Sequence, residues 1–285
     1  DLVGKLNEYD AIIVRSATQV RTELIEASPN LKVIGRGGVG LDNIDVDFAK
    51  SKNIAVLNTP AASSRSVAEL AMAHLFGIVR SLPAVNKAMS LDGVSEFGAL
   101  KKSASKGVEL QGKKLGLIGF GRIGRATASI ALGCGMEILA YDPFLKAGDV
   151  TLDLHPVYNH EFTINVKTVS KEELLANADF ISLHIPGGQG YVLDTPEFEQ
   201  MKDGVGVVNC ARGGTINEAA LLGAIKSGKV KYAATDVFEK EPPVNTDILR
   251  MNAVGLSPHI GASTEEAQER VGIELAQNII NFFNS

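Results

Sequence analysis

Apolar and polar positions follow one another along this chain in a regular block pattern. Short runs rich in Val, Ile, Leu and Ala recur between longer, more polar stretches, and they predict nine strands at residues 10–16, 31–37, 54–59, 114–120, 136–142, 179–185, 204–210, 232–238 and 253–257. Most of these runs lack a strict two-residue alternation, which is typical of strands covered on both faces. Because helix-compatible stretches separate several of the runs, the pattern predicts an α/β fold with parallel sheets.

Helix starts are indicated by Ser/Thr-x-x-Glu sequences, in which the hydroxyl and the carboxylate accept hydrogen bonds from backbone N–H groups at the helix start. The predicted capping boxes begin at Ser66, Ser170, Thr215 and Ser263. The helix after the last box has apolar residues spaced by four, which predict one buried stripe made by Val271, Leu275 and Ile279.

A length of 285 residues predicts about two domains. The predicted boundary is segment 81–112, which follows a long apolar helix and mixes Gly, Ser and Lys. The part before it holds only about three strands, few for an independent sheet. We expect residues upstream of the chain, or the C-terminal helix, to complete that sheet.

The formal net charge is −5, and this acidic balance argues against nucleic acid or an anionic membrane as the main partner. No run reaches the roughly 18 apolar residues of a membrane span, and no signal peptide is expected. The two cysteines, Cys134 and Cys210, show no zinc-ligand spacing, and such sparse use fits a reducing compartment. We therefore expect a cytoplasmic protein without a metal.

A glycine-rich motif follows the fourth predicted strand. Gly119, Gly121 and Gly124 match the G-x-G-x-x-G pattern, and the next strand ends in Asp142, eighteen residues beyond Gly124. Such glycines let the backbone approach a pyrophosphate, which the N-terminus of the following helix binds. The carboxylate can bind ribose hydroxyls and would repel a 2′-phosphate, so the motif predicts NAD rather than NADP. Arg122 is as compatible with a solvated position as with a pyrophosphate contact.

Three polar residues, Arg212, Glu241 and His259, each follow a strand in the C-terminal half. Because open parallel sheets bind ligands at the carboxyl ends of their strands, we expect the three side chains to share one crevice. A guanidinium can clasp a carboxylate, an imidazole can carry a hydroxyl proton, and a carboxylate beside the imidazole fixes the orientation of the ring. Each residue alone is compatible with a structural or solvated position, but together they predict a catalytic group.

The other histidines are expected to take no part in the chemistry. His74 falls in an apolar helix and is predicted to be a core residue, whereas His155 and His160 fall in an irregular stretch expected at the surface. His184 follows a strand, and we expect it to line the cofactor crevice.

These motifs together resemble the D-specific 2-hydroxyacid dehydrogenase family, most closely its phosphoglycerate dehydrogenase branch. The resemblance covers nearly the whole chain and includes the segments GFGRIG, VNCARGG, DVFEKEPP and SPHIGAST, with IIVRSATQV, GRGGVGLDNID and NTPAASSRSVAEL nearer the N-terminus. It implies two Rossmann-like domains with parallel sheets and the active site in the cleft between them. Residues 1–80 with 264–285 would form the substrate-binding domain, its first strand missing before residue 1, and residues 81–263 would form the NAD-binding domain.

The resemblance also implies roles residue by residue. The family's catalytic arginine, glutamate and histidine fall on Arg212, Glu241 and His259. Its substrate contacts fall on Arg15, Ser16, Gly37 and Gly38. Its cofactor contacts fall on Gly119, Gly121, Arg122, Ile123, Gly124, Asp142, Cys210, Ala211, Asp236, Gly261 and Ala262. A phosphorylated substrate needs cationic partners, and the candidates, each equally compatible with a surface cation, are Arg15, Arg36 and Arg65.

The implied activity is NAD-dependent hydride transfer at C2 of a D-2-hydroxy acid, and we expect oxidation of 3-phospho-D-glycerate to 3-phosphohydroxypyruvate in serine biosynthesis. The alternatives within the enzyme class are a glyoxylate/hydroxypyruvate reductase and a D-lactate-type dehydrogenase. From another class comes an NAD-sensing binding protein, like the corepressors that resemble this family. The chain departs from the family in having no tryptophan and in the loop PGGQGYVLD. The expected assembly is a homodimer formed through the region 83–110.

Overall fold

The computed structural model describes residues 2–154 and 156–285, so the predicted surface position of His155 lies outside the described residues. The described residues form two compact units. The first unit consists of residues 2–66 and Ala262–Ser285, and the second consists of Val67–Gly261.

Strands and helices alternate along the chain as the polarity pattern predicts. The strands are β1 (Ala11–Val14), β2 (Val33–Arg36), β3 (Ala55–Asn58), β4 (Lys114–Ile118), β5 (Glu137–Tyr141), β6 (Ala147–Asp153), β7 (Glu161–Lys167), β8 (Phe180–Leu183), β9 (Val205–Asn209), β10 (Val230–Thr235) and β11 (Val254–Leu256). The helices are α1 (Thr22–Glu26), α2 (Val46–Ser51), α3 (Ser64–Val79), α4 (Leu82–Asp92), α5 (Phe97–Ser103), α6 (Arg122–Gly133), α7 (Lys171–Asn177), α8 (Thr195–Gln200), α9 (Glu218–Ser227), α10 (Thr246–Arg250) and α11 (Glu265–Asn284). All nine predicted strands are present.

The first unit contains a three-stranded parallel sheet in the order β1-β2-β3. Helix α11 packs against β2 and β3, and its residues Val271 and Leu275 are buried as the stripe predicts. A Cβ on Gly35 would lie 3.0 Å from Cδ1 of Ile279, so the helix approaches β2 closely because Gly35 has no side chain. The three residues of the predicted stripe therefore all face the sheet.

The second unit contains a six-stranded parallel sheet in the order β11-β10-β9-β8-β4-β5. Strands β8 and β9 are buried at every residue, which explains why their sequences are apolar without alternation. Because the chain leaves β4 for β5 on one side and returns through β8 on the other, the topological switch point lies between β4 and β8. The carboxyl ends of β9, β10 and β11 lie side by side along the same edge.

Strands β6 and β7 were not predicted, and they form an antiparallel hairpin beside α6. The residues of β7 are almost all exposed, and the strand alternates polar and apolar side chains. This alternation is the signal of a half-covered strand. A search for dense apolar runs does not detect it, which is why the segment was expected to be irregular.

The division between the units differs from the boundaries expected after residue 80 and before residue 264. Residues Leu75 and Ile78 of α3 are buried in one cluster with Leu115 and Leu117 of β4. This packing places most of α3 in the second unit, so the first boundary lies at residue 66. Segment 81–112, which was predicted to be a boundary, instead contains α4 and α5.

Only one of the four predicted capping boxes supplies the N-cap of a helix. The hydroxyl of Ser170 accepts a hydrogen bond from the Glu173 N–H at the start of α7. The other three helices begin one to three residues away from the predicted position: α3 begins at Ser64, and α9 and α11 are capped by Asn217 and Thr264. Neighbouring Ser, Thr and Asn side chains compete for the same N–H groups, and the spacing alone does not decide among them.

Within the described residues, no single helix is long and apolar enough to cross a membrane. Helices α3 and α4, which are bent by 64° at their junction, have together the length and composition of a span. No group of three or more His, Cys, Asp or Glu side chains in this part of the chain is arranged to hold a metal ion.

Candidate active site

The glycine-rich motif forms a tight turn between β4 and α6. Gly119 has φ of +94°, a conformation that favours glycine, and a Cβ there would lie 2.5 Å from the backbone oxygen of His184. A Cβ on Gly124 would lie 2.2 Å from the oxygen of Gly119. Around the corresponding position of Gly121 no atom lies within 4 Å, so the turn is closed on the protein side and open in front of the helix.

The N-terminus of α6 is available to an anion. The helix has twelve residues, its N-cap is Gly121, and no side-chain cap hydrogen bond is present there among the described residues. These groups and the positive end of the helix dipole favour a phosphate group in the open space before the helix. Arg122 is the exposed first residue of α6, and Ile123, partly buried, follows it. The residues present therefore fit the pyrophosphate of a dinucleotide.

Asp142 follows β5 and contacts the same turn. One carboxylate oxygen accepts from the N–H of Phe120 at 2.9 Å, and the other accepts from the N–H of Phe144 at 2.9 Å. The carboxylate is thus fixed beside the glycine-rich turn by two backbone groups. Because an ionised carboxylate can accept about four hydrogen bonds, it retains capacity for ribose hydroxyls.

Arg212 lies in a turn that follows β9. Asn209, the last residue of β9, organises this turn: its Oδ1 accepts from the Ala211 N–H at 3.0 Å, and its Nδ2 donates to the Arg212 carbonyl at 3.2 Å. The Thr215 hydroxyl donates to the same carbonyl at 2.6 Å. A Cβ on Gly213 would lie 1.7 Å from the oxygen of Phe238, so only glycine fits there. The sequence pattern does not single out Asn209, although an Asn side chain that accepts from the backbone N–H two residues later is a recognised feature of turns.

Glu241 and His259 form a direct pair. Nδ1 of His259 lies 2.7 Å from Oε2 of Glu241, and Oε1 of the same carboxylate accepts from the Phe238 N–H at 3.2 Å. Because an ionised carboxylate only accepts, Nδ1 carries the proton in this pair. The imidazole therefore presents Nε2 as the nitrogen that can exchange a proton. Both side chains are partly exposed, 48% for His259 and 39% for Glu241.

A cavity of about 430 Å³ opens beside this pair. Glu241 and His259 line it together with the apolar residues Phe238, Pro242, Pro243, Leu249, Leu256 and Pro258 and with Ser257. A partly exposed acid–base pair at the wall of an apolar cavity is a typical arrangement for a small-molecule site.

Asp236 and Cys210 are buried at the carboxyl ends of β10 and β9. The Asp236 carboxylate accepts from the N–H groups of Ile260 and Gly261, each at 2.9 Å. Burial, with a smaller contribution from the Asp236 charge, raises the pKa of the Cys210 thiol. That thiol therefore stays neutral and is suited to packing rather than to nucleophilic chemistry.

His184 follows β8 and stands against the glycine-rich turn, where its backbone N–H donates to the Ile118 carbonyl at 2.8 Å. Part of the residue is exposed, but both ring nitrogens are inaccessible and lack a hydrogen-bond partner among the described residues. Burial lowers the pKa of His184 to about 3. The imidazole is therefore neutral at physiological pH.

The expected substrate contacts and Ala262 lie in the first unit. Arg15 and Ser16 follow β1 and are exposed, and the Arg15 guanidinium donates to the Gln268 side chain. Gly37 and Gly38 follow β2 and are buried; a Cβ on Gly38 would overlap the Arg36 guanidinium at 1.5 Å. The carbonyl of Ala262 accepts from the Gln268 amide at 2.7 Å. Arg15 and Arg36 thus both lie at the carboxyl edge of the β1-β2-β3 sheet.

Comparison with known proteins shows to which family the chain is similar. Residues 72–261 match the family model described as D-isomer specific 2-hydroxyacid dehydrogenase, NAD binding domain. A hydroxypyruvate reductase of Thermotoga maritima is 46% identical over 98% of this chain and 86% of its own length. A D-3-phosphoglycerate dehydrogenase of Archaeoglobus fulgidus is 41% identical over 99% of this chain and 51% of its own length, so the chain spans about half of that protein.

The solved structures agree with these relatives. A D-lactate dehydrogenase of Aquifex aeolicus, complexed with NAD and lactic acid, has a TM-score of 0.78 with 28% identity, covering 98% of this chain and 84% of that one. NAD is accordingly the cofactor of the second unit, and the open turn before α6 with Asp142 beside it fits that molecule. From its fold, its motifs and these relatives, the chain belongs to the D-isomer specific 2-hydroxyacid dehydrogenase family.

Proposed function

We propose that this chain oxidises a D-2-hydroxy acid at C2 with NAD and catalyses the reverse reduction of the 2-keto acid. The observation that carries the proposal is the 2.7 Å contact between Glu241 and His259 at the wall of an apolar cavity. This pair lies on the same sheet edge as the glycine-rich turn, as a site for hydride and proton transfer requires.

Each residue of the site has a distinct role in this proposal. When bound, NAD accepts the hydride from C2 of the substrate. His259 Nε2 takes the proton of the C2 hydroxyl during oxidation and returns it during reduction. The Glu241 carboxylate stabilises the imidazolium that forms and holds the ring in one orientation. The Arg212 guanidinium binds the substrate carboxylate through its planar fork of donors.

For the substrate we propose 3-phospho-D-glycerate, the D-2-hydroxy acid consumed at the start of serine biosynthesis. Arg15 and Arg36 support it, because two guanidinium groups at the carboxyl edge of one sheet suit a phosphorylated acid. Relatives at 41% and 40% identity are named D-3-phosphoglycerate dehydrogenase. Hydroxypyruvate is the second candidate, because the relative at 46% identity is named hydroxypyruvate reductase.

A turnover assay with matched substrates separates the candidates. The assay follows NADH absorbance with 3-phospho-D-glycerate, D-glycerate and D-lactate, and with hydroxypyruvate and glyoxylate in the reverse direction. We expect the highest kcat/KM for the phosphorylated acid, and we expect Arg15→Ala to reduce that value while leaving kcat/KM for D-glycerate unchanged. Equal kcat/KM for the two glycerates would favour the hydroxypyruvate reductase. Tight NAD binding with no turnover of any acid would contradict the proposal that the chain is an enzyme and would favour an NAD-sensing binding protein.

For the assembly we propose a homodimer formed through α4 and α5. Neither helix buries a single residue within the chain. The segment also exposes large apolar side chains, namely Leu82, Met89, Leu91, Val94 and Phe97. Several large apolar side chains exposed in one segment support an interface there.

Light scattering over a range of concentrations tests the assembly. We expect twice the mass of the chain for the wild type and a monomer for the Val94→Lys, Phe97→Lys double variant. The control is Phe144→Lys, which changes an equally exposed apolar residue outside these helices and should remain dimeric. A monomeric wild type would contradict the proposal.

A further inference from the structure

A chain of hydrogen bonds runs beneath the turn that carries His259. In α3, Nε2 of His74 lies 2.7 Å from the hydroxyl oxygen of Ser257. That hydroxyl donates to Oδ1 of Asp236 at 2.5 Å. His74, predicted to be only a core residue, is therefore linked through Ser257 to a buried carboxylate.

The direction of each hydrogen bond follows from the groups involved. Asp236 is an acceptor, so it takes the single hydroxyl proton of Ser257. The Ser257 oxygen then has only acceptor capacity left toward His74, and Nε2 of His74 must be the donor. Burial lowers the pKa of His74, and the Asp236 charge partly opposes that shift, so the neutral form of the ring is favoured. Its role as donor to Ser257 then places the one ring proton on Nε2.

Asp236 holds three successive backbone groups of the turn. Its carbonyl oxygen accepts from the His259 N–H at 2.7 Å, and its two carboxylate oxygens accept from the N–H groups of Ile260 and Gly261. His259 has φ of +55°, in the left-handed region that residues other than glycine rarely adopt. Such a conformation persists only where surrounding contacts impose it. The side chain of Asp236 supplies two of those contacts.

The neighbouring strand leaves space for the imidazole. A Cβ on Gly255 of β11 would lie 3.1 Å from Nδ1 of His74, so the ring lies directly over the Gly255 backbone. Asp236 is only 1% exposed, and a buried carboxylate of this kind is stable only when several donors satisfy it. Removal of one donor therefore weakens the hold on the whole turn.

We propose that His74 and Ser257 are positioning residues for His259. They fix the carboxylate of Asp236, which fixes the backbone of residues 259–261 and, through it, the imidazole beside Glu241. The inference about activity rests on the proposed function of His259, whereas the inference about the rigidity of the turn does not.

The test uses conservative and disruptive variants of the full chain. Ser257→Ala and His74→Leu break the chain of hydrogen bonds, whereas Ser257→Thr keeps the hydroxyl and His74→Gln keeps a donor. Ser182→Ala is the matched control, because Ser182 of β8 is buried and its hydroxyl has no hydrogen-bond partner among the described residues. Each variant is measured for kcat, KM, NADH affinity and amide hydrogen exchange in the peptide 254–263. Since the chain has no tryptophan, NADH fluorescence reports binding without that background.

We expect Ser257→Ala and His74→Leu to lower kcat about tenfold or more through misplacement of the imidazole, with KM and NADH affinity unchanged. We expect faster exchange of the Ile260 and Gly261 amides in the same two variants, and near wild-type values in Ser257→Thr, His74→Gln and Ser182→Ala. Unchanged exchange in the disruptive variants, or no rescue by Ser257→Thr, would overturn the proposal. If the wild type turned over no acid, the proposed function would fail, and the exchange measurement would still decide on the network.

Discussion

A single carboxylate determines which nitrogen of His259 can exchange a proton. Glu241 occupies Nδ1, and its own position is fixed by the Phe238 N–H, so Nε2 is the nitrogen that remains for a substrate hydroxyl. On the neighbouring strand, Asn209 performs a comparable task for Arg212 through hydrogen bonds to the backbone of the turn. At this scale, the reactive side chains depend on neighbours that fix either the ring itself, as Glu241 does, or the backbone of the turn, as Asn209 does.

The role of Asn209 is testable by truncation. Asn209→Ala removes an acceptor for the Ala211 N–H and a donor to the Arg212 carbonyl, inside a region where unsatisfied groups are costly. We expect KM for the acid to rise about tenfold, because Arg212 is proposed to bind its carboxylate, with a smaller change in kcat. Asn217→Ala, which removes the cap of α9 instead, is the control. An unchanged KM in Asn209→Ala would contradict this role.

His184 makes folding stability depend on pH. Burial disfavours the imidazolium in the folded state, so the unfolded chain, with its ordinary histidine pKa of 6.5, binds more protons wherever the pH lies between 6.5 and about 3. The contribution of neutral His184 to the free energy of unfolding is complete above pH 6.5 and is lost as the pH falls toward 3. We expect the difference in unfolding free energy between wild type and His184→Leu to change by up to about 1.4 kcal/mol per pH unit in that interval.

Denaturant unfolding at several pH values measures this difference. Ser182→Ala, a buried change two residues away without a titratable group, should show the wild-type slope. If the unfolding free energy of His184→Leu depended on pH as steeply as that of the wild type, protonation of His184 would carry no cost in stability.

At the residue scale, a sequence singles out polar and charged candidates more readily than residues that act through the backbone. Arg212, Glu241 and His259 stand out because each polar residue follows an apolar strand. Asn209 and Ser257 act through hydrogen bonds whose partners are set by the folded turn. The sequence shows these residues, but it does not show the turn conformation that brings them to their hydrogen-bond partners.

At the scale of elements, the parallel order of β9, β10 and β11 is what gathers the site. Each of these strands delivers one loop to the same edge, and the glycine-rich turn after β4 lies on that edge as well. Dense apolar runs predicted these strands correctly, since buried strands need no polar face. The hairpin of β6 and β7 was missed because polar and apolar residues alternate along β7, which is almost entirely exposed, so the hairpin contains no dense apolar run.

The start of α11 provides a test at this scale. The hydroxyl of Thr264 accepts from the Ala267 N–H at 3.1 Å, whereas the sequence pattern predicts Ser263 as the cap. We expect Thr264→Ala to lower the free energy of unfolding by about 1 kcal/mol and Ser263→Ala to lower it by much less. Denaturant unfolding of the two variants decides. A larger loss in Ser263→Ala would restore the capping box that the sequence predicts.

At the scale of the whole molecule, the chain divides into two units, each with its own parallel sheet and core. The sequence predicts two domains with the first boundary after residue 80, just past the end of the long helix α3, whereas the two units divide at residue 66, near the start of that helix. The packing of Leu75 and Ile78 against β4 assigns that stretch to the second unit, and such long-range contacts are not readable from local polarity. Segment 81–112 likewise has the composition of a linker, and only the family resemblance suggests it as a dimer interface. That α4 and α5 bury no residue is an observation that the folded structure adds.

If His259 carries the proton of the C2 hydroxyl, as proposed, a His259→Ala variant should lose most of its turnover. NADH production is measured with the best acid of the panel for the wild type, for His259→Ala and for the control His160→Ala. His160 is exposed and stands just before β7, away in sequence from the loops that follow β9, β10 and β11. We expect kcat to fall about 10²- to 10⁴-fold in His259→Ala, with NADH affinity retained and the His160→Ala control unaffected. A His259→Ala variant that keeps the kcat of the wild type would show that His259 does not carry this proton.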